Sequence, residues 1–222
     1  MIPRFLVALA LFAPFLRAEP IVAPAKWEKE ISAIETRHPP KSDDQGGIVF
    51  IGSSSIRMWS SLAEDFPKHR VANHGFGGSQ ISDSIQYVDR LVTPYQPRLI
   101  VMYAGGNDIN AGKNAETVAA DFKTFVEKVR AKQPDVPISY ISVAPNPKRW
   151  SQIETVKKAN ALIAEYCAKT PRLKFIDVFT HMLGPDGQPK PDIFLKDQLH
   201  MNPKGYAIWK EVVGPELGAP DA

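Results

Sequence analysis

The chain has 222 residues, of which 44% are hydrophobic and 23% are charged, and its formal net charge at pH 7 is +3. This length and apolar content are sufficient for one well-buried domain. The basic residues are scattered, so the sequence lacks the electrostatic footprint of a protein that binds nucleic acid or an anionic membrane. The single cysteine, Cys167, excludes an intramolecular disulfide and a metal site built from cysteines.

The first 18 residues have the pattern of a secretory signal peptide. Arg4 supplies a positive start, residues 5–16 form an apolar run, and Ala18 is a small residue suited to cleavage. The run is too short to span a bilayer comfortably. We therefore expect a secreted or periplasmic protein, with an uncleaved amphipathic anchor as the alternative.

Apolar, strand-like runs alternate with amphipathic helical segments along the rest of the chain. The pattern predicts helices at residues 25–37, 81–91, 118–132, 154–169 and 203–213, and strands at residues 48–51, 70–73, 99–103, 138–143 and 173–178. Strands separated by helices of this length indicate right-handed crossovers in a parallel sheet that is covered on both faces. The sequence therefore predicts an α/β fold, a three-layer α/β/α sandwich of flavodoxin-like type with a five-stranded parallel sheet.

Three polar or glycine-rich loops follow the first three predicted strands. They are residues 52–55 (Gly-Ser-Ser-Ser), 73–79 (Asn-His-Gly-Phe-Gly-Gly-Ser) and 104–108 (Ala-Gly-Gly-Asn-Asp). Ligands of such sheets bind at the carboxyl ends of the strands, so we expect these loops to line one rim. A serine at a sharp strand-to-helix turn exposes its hydroxyl next to helix amides. Glycine and serine are also common in ordinary turns.

A possible base and its partner lie near the end of the chain. A serine hydroxyl is a weak nucleophile until a base accepts its proton, and a carboxylate commonly orients that base. Asp197 and His200 are three residues apart, a spacing that lets the carboxylate accept from Nδ1–H while Nε2 faces outward. Asn202 is a good N-cap and Pro203 a good first helical residue, which places His200 just before the last helix. A surface histidine near a helix start is the alternative interpretation.

Acyl transfer also needs donors for the oxyanion that forms on the carbonyl oxygen. The Gly78 backbone N–H, the Asn107 side-chain amide and the Ser54 backbone N–H are candidates, since all three belong to the predicted rim. Each is a weak signal alone, because the same residue types occur in common turns. Arg149 and Trp150 follow the fourth predicted strand on the same rim and are candidate substrate contacts.

These segments, in this order, resemble the SGNH (GDSL-like) hydrolase superfamily, and most closely the branch that includes the catalytic subunits of platelet-activating-factor acetylhydrolase. The resemblance implies that Ser54 is the nucleophile, His200 the base and Asp197 its orienter, with Ser54, Gly78 and Asn107 as oxyanion donors. It also implies the three-layer fold. The family usually has an acid where this chain has Ser53, which leaves the rigidity of that loop an open question. On spacing alone, Ser53 and Ser55 are rival nucleophiles.

The resemblance implies a hydrolase domain at residues 48–217, between an N-terminal helix and linker at 19–47 and a short tail at 218–222. The expected activity is a serine esterase that acts on a small-molecule ester through an acyl-enzyme, with no metal or organic cofactor. We expect neither nucleic acid nor integral membrane partners. The absence of a long apolar stretch favours short acyl groups, such as acetyl on carbohydrate. A lysophospholipase or thioesterase of the same family is one alternative, and a non-catalytic ligand-binding protein on this fold is the other.

Overall fold

The computed structural model describes residues 25–40 and 45–220, so the predicted signal peptide lies outside the described residues. One parallel sheet forms the centre of the fold. Its strands are β1 (Ile48–Gly52), β2 (Val71–Gly75), β3 (Leu99–Tyr103), β4 (Ile138–Ile141) and β5 (Leu173–Ile176). They lie in the order β2-β1-β3-β4-β5, with every neighbouring pair parallel. This doubly wound topology confirms the predicted fold class.

Helices connect the strands and cover the sheet. They are α1 (Glu28–Arg37), α2 (Ser54–Arg57), α3 (Leu62–Asp65), α4 (Ile81–Gln86), α5 (Val88–Leu91), α6 (Gly106–Asn110), α7 (Ala115–Arg130), α8 (Ile153–Lys169) and α9 (Pro203–Val213). Short 3₁₀ segments occur at Ala25–Trp27, Thr93–Tyr95, Pro147–Gln152, Thr180–Met182, Pro191–Ile193 and Gly214–Glu216. Within residues 25–40 and 45–220, none of the helices combines the length and the apolar character needed to cross a membrane.

The sheet separates two hydrophobic cores, and β1 contributes to both. Val49 and Ile51 belong to the core that also contains the buried faces of α1, α7 and α8. Ile48 and Phe50 belong to the core on the other face, where Trp209 of α9 is fully buried. Successive side chains of a strand point to opposite faces, so a strand buried on both faces has the continuous apolar sequence seen here. Each such side chain contributes about 1.5–3 kcal/mol by burial.

The structure corrects the predicted helix at residues 81–91. That segment is two helices, α4 and α5, separated at Tyr87, whose φ and ψ are −98° and 9°. The Tyr87 ring is fully buried and meets Phe76 edge-on, with ring centroids 5.9 Å apart. The helical periodicity continues across the break, which is why the sequence pattern did not reveal it.

The fourth and fifth predicted strands also end earlier than expected, because hydrogen bonds to side chains replace the hydrogen bonds between neighbouring strands. Val143 donates its N–H to Asn160 Oδ1 at 2.8 Å, and the Asn160 amide donates back to the Val143 carbonyl at 3.0 Å. Ser142 Oγ accepts the N–H groups of Val178 and Phe179, each at 3.0 Å. β4 and β5 therefore stop at Ile141 and Ile176, and the chain turns away from the sheet.

Gly52 closes β1 under a tight steric constraint. Its φ is +140°, and a Cβ at this position would lie 1.9 Å from the Tyr103 carbonyl oxygen. The missing side chain lets Ser53 N–H donate to that oxygen at 2.9 Å, which extends the β1–β3 pairing by one residue. The turn after β1 therefore depends on glycine at this position.

We expect Gly52→Ala to lower the free energy of unfolding by at least about 3 kcal/mol, because a backbone oxygen would have to move. Gly112→Ala is the matched control, since Gly112 also has a positive φ (+95°) but has no atom within 4 Å of the added Cβ. Backbone strain alone should limit its cost to about 1–2 kcal/mol. Urea denaturation measures both values, and equal costs would contradict the steric account.

Candidate active site

Ser54 is the first residue of α2 and follows directly on the turn after β1. The Ser53 backbone is extended (φ −88°, ψ −162°), and its carbonyl accepts the N–H groups of Ile56 and Arg57 at 3.1 Å each. The Ser53 side chain makes no capping hydrogen bond. The first N–H groups of a helix have no partner within the helix. The Ser54 side chain and backbone N–H therefore both lie at the amino end of α2.

His200 contacts Ser54 through one ring nitrogen and Asp197 through the other. His200 Nε2 lies 2.9 Å from Ser54 Oγ, and His200 Nδ1 lies 2.6 Å from Asp197 Oδ2. Since the ionised carboxylate can only accept, Nδ1 carries the proton and Nε2 is free to accept from the Ser54 hydroxyl. The geometry is that of a nucleophile hydrogen-bonded to a base, which is in turn oriented by a carboxylate.

A tight turn holds Asp197 beside His200. Gln198 adopts a left-handed conformation with φ of 58°. Asp197 Oδ1 accepts the backbone N–H groups of Leu199 and His200, each at 3.0 Å. The His200 hydrogen bond is the largest influence on the Asp197 carboxyl and, with these two N–H groups, it outweighs partial desolvation and lowers the pKa to about 2. Asp197 is therefore ionised at neutral pH.

The segment around His200 is fixed to the chain on both sides. The His200 carbonyl accepts Leu195 N–H at 2.7 Å, and Phe194 pairs with Met201 in an isolated antiparallel bridge. Asn202 caps α9 through Lys204 and Gly205 N–H, while its amide nitrogen donates to the carbonyls of Asp192 and Phe194. The sequence predicted the cap. No sequence pattern indicates the two hydrogen bonds that the Asn202 amide nitrogen donates, because their acceptors lie ten and eight residues earlier in the chain.

Asn107 lies in the first turn of α6 and lines the same cavity as His200. Its Nδ2 donates to the Ser79 carbonyl at 3.0 Å, and its Oδ1 accepts from Arg149 Nη1 at 3.0 Å. Arg149 Nη1 also donates to the Gly106 carbonyl at 3.1 Å. Arg149 is thus bound to the loop after β3. The sequence predicted Arg149 only as a substrate contact.

Gly78 and Trp150 are sequence-predicted site residues that are not among the residues lining the cavity. Gly78 is exposed, with φ of +79°, and its N–H has no hydrogen-bond partner among the described residues. Trp150 is half-buried in the 3₁₀ segment after β4. Neither residue belongs to the cavity lining, whereas Ser54, Asn107 and Arg149 do.

Asp108 links the two loops that follow β2 and β3. It is fully buried and accepts Ile81 N–H, at the start of α4, at 3.2 Å from both of its oxygens. Lys113 Nζ donates to it at 2.9 Å and to Asp121 at 2.7 Å. Desolvation is the largest influence and raises the pKa of the Asp108 carboxyl against the opposing effect of Lys113. Asp108 thus joins the start of α4 to α6, next to Asn107.

The cavity at this rim is small. Its volume is about 30 Å³, room for only two or three water-sized groups at roughly 10–15 Å³ each. Its walls include Ser53, Ser55, Tyr103, Val143, Met182, Phe194 and Met201. Across the described ranges, no group of three or more His, Cys, Asp and Glu side chains is placed to hold a metal ion.

Comparison with known proteins identifies a family over most of the chain. The sequence profile of the GDSL-like lipase/acylhydrolase family matches residues 51–208. A search of curated protein sequences returns no match.

Several solved structures share the fold. One is a Streptococcus pneumonia protein provisionally described as a platelet activating factor, with 22% identity, coverage of 85% of this chain and 93% of its own, and a TM-score of 0.75. A GDSL-like lipase from Bacteroides thetaiotaomicron has 20% identity, 85% and 96% coverage and a TM-score of 0.69. A carbohydrate esterase family 3 protein from Talaromyces cellulolyticus has 17% identity, 77% and 95% coverage and a TM-score of 0.62. At these sequence identities, the similarities show a shared fold.

The low pKa of Asp197 generates a prediction about its titration. Carbon NMR of a sample with labelled aspartate carboxyls should give a pKa of about 2 for Asp197. In His200→Phe, the same carboxyl should titrate closer to the usual value, because its strongest hydrogen-bond donor is gone. A pKa that is unchanged in this variant would contradict the assignment.

The direction of the shift also determines how this carboxyl affects stability. The pKa in the folded chain is below that of the unfolded chain, so the ionised carboxylate stabilises the fold above about pH 4. That contribution disappears as the pH falls toward 2. Because the Asp197 side chain is 48% exposed, solvent screening keeps the contribution small.

Proposed function

The chain belongs to the GDSL-like lipase/acylhydrolase family, and we propose that this hydrolase is a serine esterase with Ser54 as nucleophile, His200 as base and Asp197 as orienter of the base. One observation carries the proposal. The 2.9 Å contact between Ser54 Oγ and His200 Nε2 and the 2.6 Å contact between His200 Nδ1 and Asp197 Oδ2 form an unbroken hydrogen-bonded chain. Its nucleophilic end opens into a cavity at the carboxyl ends of the strands.

In the proposed reaction, Ser54 Oγ attacks the ester carbonyl carbon while His200 Nε2 takes the hydroxyl proton. The carbonyl oxygen becomes an oxyanion, and its collapse expels the alcohol, which receives the proton from His200. Water then attacks the acyl-enzyme by the same route and releases the acid, restoring the Ser54 hydroxyl. The ionised Asp197 stabilises the imidazolium that forms in each half of the cycle.

Three N–H groups are proposed to bind the oxyanion: the backbone N–H groups of Ser54 and Gly78 and the side-chain amide of Asn107. The Ser54 N–H is unpaired within its helix because Ser54 is the first helical residue. The Gly78 N–H is without a partner among the described residues. Asn107 Nδ2 uses one hydrogen for the Ser79 carbonyl and has a second to offer.

The cavity supports a short acyl group. A volume of about 30 Å³ has room for a small acyl group, whereas a long alkyl chain would have to displace buried walls such as Met182 and Phe194 or extend out of the cavity. Leu195, 38% exposed, is the one large hydrophobic side chain exposed in the part of the chain that the structure describes. A lipid substrate would find little apolar surface outside the cavity.

We therefore propose short-chain esters as substrates, with acetyl groups on carbohydrate as the favoured class. The fold shared with a carbohydrate esterase family 3 protein is compatible with this substrate. A lysophospholipase or thioesterase of the same family is the second candidate, but the small cavity gives it less support.

Replacing the nucleophile should abolish turnover. We expect Ser54→Ala to lower kcat for an aryl acetate by about 10⁴-fold or more, since the hydroxyl that forms the acyl-enzyme is lost. Ser53→Ala and Ser55→Ala are the matched controls, because each removes a neighbouring hydroxyl of the same loop, and both should stay within about tenfold of the wild type. Retained activity in Ser54→Ala, or its loss only in a neighbour, would overturn the assignment.

Acyl length should control the rate. In a series of aryl esters with one leaving group, we expect kcat/KM to fall by about tenfold or more from acetyl to butanoyl and further at octanoyl, because each added methylene must displace packed side chains. A parallel series of acetylated sugars tests the alcohol. Higher kcat/KM for octanoyl than for acetyl would favour the lipid-directed alternative.

A further inference from the structure

Arg149 fixes the orientation of the Asn107 side-chain amide. With Arg149 Nη1 3.0 Å from one amide atom and the Ser79 carbonyl 3.0 Å from the other, only one orientation is consistent with both contacts. Exchanging Oδ1 and Nδ2 would place donor against donor at Arg149 and acceptor against acceptor at Ser79. The second Nδ2 hydrogen therefore has a defined direction.

The 3₁₀ segment after β4 holds Arg149 in place. Asn146 caps this segment by accepting Arg149 N–H at 2.9 Å. Nη1 then reaches across to the Gly106 carbonyl at 3.1 Å and to Asn107. The backbone N–H and the guanidinium of Arg149 are thus both hydrogen-bonded to residues that line the cavity. A bound guanidinium of this kind loses little further entropy when the substrate arrives.

The charge of Arg149 is not cancelled by an acid. The side chain is about half-buried in the cavity wall, and no carboxylate of the described residues forms an ion pair with it. Desolvation accordingly lowers the pKa of the guanidinium, which nevertheless stays charged at every relevant pH. The positive charge therefore acts on the Asn107 amide oxygen that it contacts.

We propose that Arg149 is a positioning residue of the oxyanion site, which orients the Asn107 amide and strengthens its free N–H as a hydrogen-bond donor. A cation on the amide oxygen draws electron density from the amide nitrogen and makes its remaining hydrogen a better donor. Hydrogen bonds in such chains strengthen one another by roughly 10–30%. The effect grows when the acceptor gains charge, so it should act on the transition state more than on bound substrate. The inference rests on the proposed esterase function.

A double-mutant cycle tests whether Arg149 acts through Asn107. We expect Asn107→Ala to lower kcat by about 10²–10³-fold, the usual cost of one oxyanion donor. Arg149→Met, which keeps an unbranched side chain but removes the guanidinium, should lower kcat by about tenfold and leave KM within about threefold. In the Asn107→Ala background, Arg149→Met should change kcat by less than about twofold, because the amide it acts on is absent. Arg149→Lys should lie between wild type and Arg149→Met.

Binding of an arylboronic acid gives an independent readout, since its tetrahedral adduct with the serine resembles the oxyanion state. Arg149→Met should weaken this binding by about tenfold in the Asn107 protein and by less than twofold in the Asn107→Ala protein. Lys148→Met is the matched control, because it removes an exposed charge one residue away. Urea midpoints establish that each variant is folded, and if Arg149→Met is unfolded, Arg149→Lys takes its place in the cycle.

Three results would overturn the inference. Additive losses in the double mutant would show that Arg149 acts independently of Asn107. A loss confined to KM, and only for esters that carry an anion, would make Arg149 a substrate-binding residue. If Arg149→Met leaves kcat and boronate binding unchanged while Asn107→Ala is impaired, the inference about Arg149 fails and the proposed oxyanion site stands. If Asn107→Ala is itself unimpaired, the proposed oxyanion site fails as well.

Discussion

The hydrogen bond from Ser53 N–H to the Tyr103 carbonyl is the contact on which the rest of the site depends. It extends the pairing of β1 with β3 by one residue, directly before α2 begins at Ser54. Gly52 permits it because the Tyr103 oxygen occupies the space of a β-carbon. The Gly52 carbonyl in turn accepts Phe76 N–H at 2.9 Å and the Ser79 hydroxyl at 3.3 Å. The positions of Ser54 and of the Ser79 loop therefore follow from one backbone junction.

The open question about Ser53 has a physical answer in the neighbouring strand. Asn73 donates its side-chain amide to the Ile56 carbonyl at 2.7 Å, and its Oδ1 accepts Gly75 N–H at 3.1 Å. These bonds tie α2 to the end of β2 without any contribution from the Ser53 side chain. The turn is thus fixed by backbone and amide contacts, and an acid at residue 53 is not needed to order it.

The sequence was informative where function depends on local spacing. Gly52 and Ser54 follow a recognisable apolar strand, and Asp197 and His200 are close enough in the chain for one turn to join them. Contacts between distant segments left no such signal. Arg149 meets Asn107 across 42 residues, and Asp108 meets Ile81 across 27. No periodicity or short motif links these pairs, because only the strand order β2-β1-β3-β4-β5 brings their loops together.

The charges around the cavity are distributed in a way that suits the oxyanion of the proposed reaction. Asp197 is paired with His200 and faces away from Ser54 Oγ, on the far side of the imidazole. Arg149 also lines the cavity, and among the described residues it has no acidic partner. A carboxylate at residue 53 would add negative charge to the same small space, where the low dielectric strengthens repulsion of an oxyanion. A neutral Ser53 adds no negative charge to this space. The departure at Ser53 and an Arg149 without an acidic partner in the described residues are therefore electrostatically consistent with one another.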